Sequence, residues 1–163
     1  MESYQAQKSI KIPMRAIEPP DSHHVKAAEG WLELGSPADA RHELSRLSDQ
    51  NLTHPYALAV GWVVVSRLGQ WEAAARIGRM LVESAPEHPN NWVNLAYALS
   101  KAGRVDEAIK ELLQAVDKFP ENFEIRYNLA CYYGAVGNVP ESKAWLKKAE
   151  ALGDPAALLI KDV

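Results

Sequence analysis

The side chains best suited to chemistry in this sequence are five histidines and a single cysteine, Cys131. His23 and His24 could begin a metal site, but neighbouring helical residues point about 100° apart and no acid or cysteine cluster joins them. We therefore predict that this pair lies on the surface at a helix start. Cys131 would need a base and an orienting group to act as a nucleophile, so a small packing residue at a groove or its edge is the simpler interpretation.

No arrangement typical of an enzyme can be assembled from the rest of the chain. The sequence has no phosphate loop, no dinucleotide fingerprint and no Ser-His-Asp order. We predict a protein that is not an enzyme, with no catalytic residue, no metal and no cofactor. Lys143, Lys147 and Lys148 form a basic strip that is predicted to be a solvated convex surface, with an acidic partner as the alternative.

Composition narrows the class of protein. Hydrophobic residues make up 47% of the chain and charged residues 24%, as in an ordinary soluble domain. The net charge of −3 argues against nucleic acid, which needs a concentrated basic surface. No apolar segment approaches the roughly 18 residues of a membrane span, and the first residues do not resemble a signal peptide. One cysteine fits a reducing cytosol, so we predict a cytoplasmic location without membrane insertion.

The secondary structure that would position any site is predicted from a repeat in the sequence. Glycines recur every 34 residues, at Gly35, Gly69, Gly103 and Gly137. Glycine is 9 of 163 residues, so three successive coincidences at one offset are not expected by chance. A fixed period of this size indicates stacked helical units. Each such glycine allows the left-handed backbone that ends one helix and turns the chain into the next.

Other columns carry the same period. Small residues precede the glycines at Ala28, Ala96 and Ala130, with Trp62 as the exception. The second half of each unit has an apolar helical face, and proline closes the middle two units. The face is formed by these columns: Ala40, Ala74, Ala108 and Ser142; Leu44, Gly78, Leu112 and Leu146; Leu47, Leu81, Ala115 and Ala149.

These residues resemble the tetratricopeptide repeat, a unit of two antiparallel helices. Residues 92–99, then Gly103, residues 106–109 and Pro120, match it best. The resemblance covers residues 21–156 and implies an all-α, right-handed α-solenoid of four helix-turn-helix repeats. The repeats are 21–54, 55–88, 89–122 and 123–156, between an extended leader at 1–20 and a short capping helix at 157–163.

The predicted helices follow from this division. First helices are expected at about 22–34, 55–68, 89–102 and 123–136, and second helices at about 37–49, 71–84, 105–118 and 139–152. Ser36 before Pro37, with Asp39 after them, predicts a capped start, and Asn138 predicts a looser one.

The resemblance implies a concave groove lined by the first helices of the repeats. Tyrosine suits recognition because it combines apolar area with a polar tip, and asparagine can hydrogen-bond an extended peptide backbone. The alternative for the recurring asparagines is that they are simply common in the family. The predicted groove residues are Tyr56, Val63, Arg67, Asn90, Val93, Asn94, Tyr97, Lys101, Tyr127 and Asn128.

The predicted function is a scaffold that binds a peptide segment of a partner protein in this groove. One alternative is a structural module that self-associates, as a homodimer, through its leader or array ends. Another resembles secretion chaperones, which hold an apolar segment. A carboxylate clamp for chaperone tails is not expected, because Val25, Ala59 and Val93 stand where its basic residues would be.

Two further expectations concern Trp62 and the leader. The Trp62 indole is expected to be largely buried and to fill space left by Gly61 and Gly78, a volume-conserving exchange. Residues 8–17 alternate apolar and polar side chains, so they are expected to dock on an array surface of their own chain or a neighbouring one. The alternative for this leader is a terminus without fixed structure.

Overall fold

A computed structural model describes residues 15–153 of the 163-residue chain. This part is all-helical, with eight α-helices, one 3₁₀ turn and no strand. The predicted capping helix at 157–163 lies outside the described residues. The helices are α1 (Asp21–Glu33), α2 (Pro37–Leu44), α3 (Pro55–Arg67), α4 (Trp71–Ser84), α5 (Pro89–Lys101), α6 (Val105–Lys118), α7 (Phe123–Ala135) and α8 (Val139–Glu150), and the 3₁₀ turn is Asp49–Asn51.

The periodic glycines end the first helix of each pair, as predicted. Gly103 has φ of 80°, and its N–H donates to the Ser100 carbonyl at 3.1 Å while Arg104 N–H donates to Leu99 at 2.8 Å. This pair of bonds satisfies carbonyls that a helix end leaves free. The same bonding pattern follows α1, α3 and α7, so one turn geometry sets all four helix pairs.

Consecutive helices pack on one another around two groups of buried side chains. The N-terminal cluster joins α1, α2 and α3 and includes Val25, Leu32 and Val64. The C-terminal cluster joins α4 to α7 and includes Leu95, Leu112 and Leu129. Small residues in the repeat columns, such as Ala28, Ala96 and Ala108, are fully buried where helices approach closely.

The prediction for the second helix of the first repeat was wrong. That helix ends at Leu44, not near residue 49, because the buried Asp21 carboxylate accepts the Ser48 N–H at 3.0 Å and the Asn51 amide at 2.7 Å. The predicted serine cap is also incorrect in detail. Ser36 precedes Pro37, but its hydroxyl donates to the Asp39 carboxylate instead of accepting from the helix. Asn138 does cap α8, accepting from Glu141 N–H at 3.3 Å.

The Trp62 indole does not fill the space beside Gly78, contrary to the expectation. A Cβ on Gly78 would lie 3.0 Å from the Leu95 Cα, so this glycine lets the backbone of α5 approach α4. Beside Gly61, the nearest atoms outside its chain neighbours are the side-chain tips of Leu44 and Ile77, at 3.8 and 3.9 Å. Trp62 is half-buried instead and packs against the C-terminal cluster.

Candidate binding surface

Three of the predicted groove residues meet in one open pocket between α1 and α3. Tyr56, Val63 and Arg67 line it from α3, and the pocket measures about 370 Å³. We call it the α1–α3 pocket. Its complete lining is Glu29, Leu32, Glu33, Tyr56, Ala59, Val60, Val63 and Arg67.

The polar groups of the α1–α3 pocket are held in place. Arg67 donates to the Leu32 carbonyl at 2.5 Å, which ties α3 to the carboxyl end of α1. A side-chain hydrogen bond to Glu29, together with burial, raises the pKa of Tyr56 to about 12. Tyr56 therefore stays a neutral hydroxyl at physiological pH, and the rim carries the carboxylates of Glu29 and Glu33.

A second group of predicted residues lies along α5. Asn90, Asn94, Tyr97 and Lys101 recur at intervals of three or four, so they share one side of the helix. The Tyr97 ring is 40% exposed. The Lys101 ammonium lies 5.5 Å from its centroid, and Trp71 meets it edge-on with centroids 5.7 Å apart.

The predicted residues on α7 continue this arrangement. Tyr127 is 45% exposed, and Phe123 stacks on it with centroids 5.7 Å apart and planes 16° from parallel. Asn128 is half-exposed, and Cys131 is exposed one turn further along. We call these residues of α5 and α7 the α5–α7 surface; its exposed members are Asn90, Tyr97, Lys101 and Tyr127, and its half-buried members are Asn94 and Asn128.

One predicted residue is placed differently. Val93 is 8% exposed and belongs to the C-terminal cluster, so it offers little area to a partner. A valine at this position is drawn inward because burying its side chain is worth about 1.5–3 kcal/mol.

The predicted asparagines have side-chain amides that are unpaired in the described part of the chain. Asn90, Asn94 and Asn128 make no side-chain hydrogen bond within residues 15–153, which leaves their amides free to bond elsewhere.

Sequence reasoning missed the aromatic residues that support the tyrosines. Trp71 and Phe123 each lie beside an exposed tyrosine ring, yet neither belongs to a repeat column. Phe123 could have been found from its spacing, since it precedes Tyr127 by four residues on one helix. Trp71 begins a different helix and has no comparable signal.

The two histidines considered for a metal site, His23 and His24, have different surroundings. His24 Nδ1 lies 2.8 Å from a Glu43 carboxylate oxygen and links α1 to α2. This contact is a single pair between one histidine and one acid, and among the described residues Glu43 brings no cluster of further ligands to it. His23 is exposed at the start of α1, as predicted. Within residues 15–153, no group of three His, Cys, Asp or Glu residues is arranged to hold a metal ion.

The last residues of the leader contact the array. The Arg15 guanidinium donates to the Asn51 side-chain oxygen at 3.3 Å, and His54 Nε2 donates to the Arg15 carbonyl at 2.6 Å. Ile17 packs on the N-terminal cluster. A cavity of about 490 Å³ lies here, and we call it the leader cavity; its lining is Arg15, Ala16, Ile17, Glu18, Pro19, Ser22, Lys26, His54 and Tyr56. The rest of the leader lies outside the described residues.

Comparisons with known proteins agree with the helical repeats. Residues 89–130 match the sequence profile of the tetratricopeptide repeat. The chain is 30% identical over 95 residues to the TPR repeat-containing thioredoxin TTL4 of Arabidopsis thaliana. That match takes in 58% of this chain but only 14% of the relative, so the chain spans a small part of that protein.

Solved structures share the fold at low sequence identity. A crystal structure of MamA superposes with a TM-score of 0.76 at 17% identity, over 85% of this chain and 81% of that one. TTC0263, a thermophilic TPR protein of Thermus thermophilus, gives 0.64 at 21% identity, over 82% and 75%. The chain has the predicted all-helical α-solenoid fold, and its sequence match to the tetratricopeptide repeat covers residues 89–130. No helix within residues 15–153 is both long and apolar enough to cross a membrane.

Proposed function

We propose that this protein is a non-catalytic cytoplasmic adaptor that binds an extended segment of another protein along its concave surface. The observation that carries the proposal is a series of half-exposed tyrosines on three successive first helices. Tyr56, Tyr97 and Tyr127 are 43%, 40% and 45% exposed. Each ring presents apolar area with a polar tip, a combination that is enriched in protein interfaces.

Support for an extended ligand comes from the polar groups between the rings. The free amides of Asn94 and Asn128 lie at equivalent positions of two neighbouring repeats. The distance between them is therefore set by the stacking of one repeat on the next. An amide offers both a donor and an acceptor, which is what the backbone of an extended peptide requires. Side-chain specificity would come from the tyrosines and the α1–α3 pocket.

A linear 12-residue peptide library displayed on phage, selected against the full chain, tests the proposal. The selected peptide is then the probe for Tyr97→Ala and Tyr127→Ala, each of which should weaken binding at least tenfold. Lys143→Ala on α8 is the control, because its side chain is exposed on a second helix. A peptide whose affinity is unaffected by both tyrosine variants but lost in the control would overturn the proposal.

Self-association is a second candidate function, because α8 leaves apolar residues uncovered within the described chain. Val139 and Leu146 on this helix and Val136 before it are exposed. Sedimentation equilibrium of the full chain, compared with Leu146→Asp, tests this function. A dimer that dissociates in the variant would support self-association, whereas a monomer in both would exclude it.

A further inference from the structure

The described part of the leader starts beside the amino end of α3. Arg15 is fixed there on both sides, by Asn51 through its guanidinium and by His54 through its carbonyl. His54 in turn accepts the Tyr56 N–H through Nδ1 at 3.1 Å. The backbone that precedes Arg15 therefore leaves from a defined point at the amino end of α3.

Tyr56 connects this point to the α1–α3 pocket. The tyrosine lines both the leader cavity and the α1–α3 pocket. Residues that precede Arg15 thus need only pass Tyr56 to enter the α1–α3 pocket, which lies alongside α3.

We propose that residues 8–14 of the leader occupy the α1–α3 pocket of the same chain until a partner segment displaces them. This inference deepens the proposed function and rests on it for the identity of the site. It also names the partner's chemistry: an extended segment with apolar residues at alternate positions and basic residues between them.

The reach of the segment fits the pocket. Three extended residues span roughly 10 Å, and the seven residues from Tyr56 to Val63 rise about 10.5 Å along α3. An extended leader that runs along α3 would therefore bring Ile12 to the level of Val63. Alternate residues of an extended chain point to the same side, so Ile10, Ile12 and Met14 can face the pocket together.

The charges also fit. The segment from residue 8 to 15 contains Lys8, Lys11 and Arg15 and no acid. The pocket rim offers the Glu29 and Glu33 carboxylates. Two cations also face this region: Arg67 is bonded to the Leu32 carbonyl, and Lys26 lies in the leader cavity. Between the charges, Leu32, Ala59 and Val63 give the pocket an apolar wall.

A disulfide trap tests the location. Ile12→Cys and Val63→Cys are combined with Cys131→Ser, which removes the native thiol from its exposed position. Mild oxidation should then consume both thiols within one chain, because a disulfide needs Cα atoms about 4.4–6.8 Å apart. Ile12→Cys with Lys110→Cys on α6 is the control and should keep both thiols, and circular dichroism verifies that both variants fold.

Two results would overturn the proposal. Free thiols at both positions in a folded variant would show that the segment does not occupy the pocket. A disulfide-linked dimer on a non-reducing gel would place the segment on a neighbouring chain. Neither result depends on an external ligand, so the failure of this inference is distinct from the failure of the proposed function.

A competition measurement tests displacement. A synthetic peptide of residues 8–17 is titrated into the full chain and into a variant carrying Ile10→Asp and Ile12→Asp. The peptide should bind the variant at least tenfold more tightly, because the resident segment no longer competes for the pocket. Equal affinity for the two chains would contradict occupancy by the native leader.

Discussion

The first and third repeats have the same helix-turn-helix plan but are held together differently. In the third repeat, α5 and α6 join through fully buried side chains such as Leu99 and Leu112. In the first repeat, α2 stops early, and the chain after it is attached to α1 through the buried carboxylate of Asp21, which is 5% exposed.

This difference shows what a repeat can change without losing its place in the array. The turn between the two helices is the same in both repeats, with φ of 76° at Gly35 and 80° at Gly103. The second helix can shorten in the first repeat because polar bonds to Asp21 replace part of its packing. The two repeats thus share one turn geometry, whereas the interactions that stabilise their second helices differ.

The largest expected effect is a loss of stability that differs between equivalent leucines of the first and third repeats. Leu112→Ala should lower the free energy of unfolding by about 2–5 kcal/mol, because it empties a fully buried site. Leu44→Ala, at the same column in the first repeat, should cost less because Leu44 is only partly buried. Urea unfolding followed by circular dichroism measures both, with the exposed Leu146→Ala as the control. Equal losses at all three positions would contradict the comparison.

The second prediction concerns Asp21→Ala. Hydrogen bonds from Ser48 and Asn51 hold the pKa of Asp21 below its ordinary value. The folded state therefore favours the charged carboxylate, whose stabilisation is complete above the unfolded pKa of about 3.9 and is lost as pH falls through the folded pKa.

Asp21→Ala should accordingly destabilise the protein at pH 7, by less than Leu112→Ala. The gap between wild type and variant should narrow as pH falls below about 4. Thermal unfolding across this range measures the gap, with the exposed Asp39→Ala as the control. A gap that does not depend on pH would show that the charge of Asp21 is not what holds the loop.

The third prediction is that substitutions at the turn glycine should cost the same stability in both repeats. Gly103→Val and Gly35→Val should each cost about 1–3 kcal/mol, because a β-branched residue is strained at positive φ. Both glycines have open space around a would-be Cβ, so the cost comes from the backbone alone. Gly30→Ala is the control within a helix. A neutral effect at Gly103 would refute the role of the turn.

The smallest expected effect comes from the two glycines between the compared repeats. Gly78→Ala should cost about 1 kcal/mol, since its Cβ would press on the Leu95 backbone and overpacking outweighs the gain in helix propensity. Gly61→Ala should be neutral or slightly stabilising, because its Cβ would meet only side-chain tips at ordinary contact distance. Thermal denaturation of both variants measures the difference, and the reverse order would contradict the packing.

The sequence predicted the fold best where the repeat pattern was complete. The bounds of α4 and α6 match their predicted ranges, because glycine before these helices and the apolar columns within them agree. The end of α2 could not be predicted, since it depends on Asp21, which lies 27 residues from Ser48 along the chain. Periodicity carries no signal for a bond of that kind.

The exposure of the predicted groove tyrosines could be predicted from the sequence, but the packing around them could not. The first-helix assignments predicted that Tyr56, Tyr97 and Tyr127 line a surface, and all three are exposed, although Tyr127 shares its repeat column with the buried Val93. They did not predict that Val93 is buried or that Trp71 supports Tyr97. Such features depend on the exact crossing of neighbouring helices, which a column pattern leaves open.

Helix α3 contributes to the N-terminal cluster and also packs against the C-terminal one, and this has a consequence for the order in which amides become accessible to solvent. Val60 and Val64 face the N-terminal cluster, whereas Trp62 and Val65 pack against the C-terminal one. Opening α1 and α2 would leave α3 still supported on its other side. Native-state hydrogen exchange should therefore label α1 and α2 as one early unit, while the amides of α3 exchange with the remainder of the array.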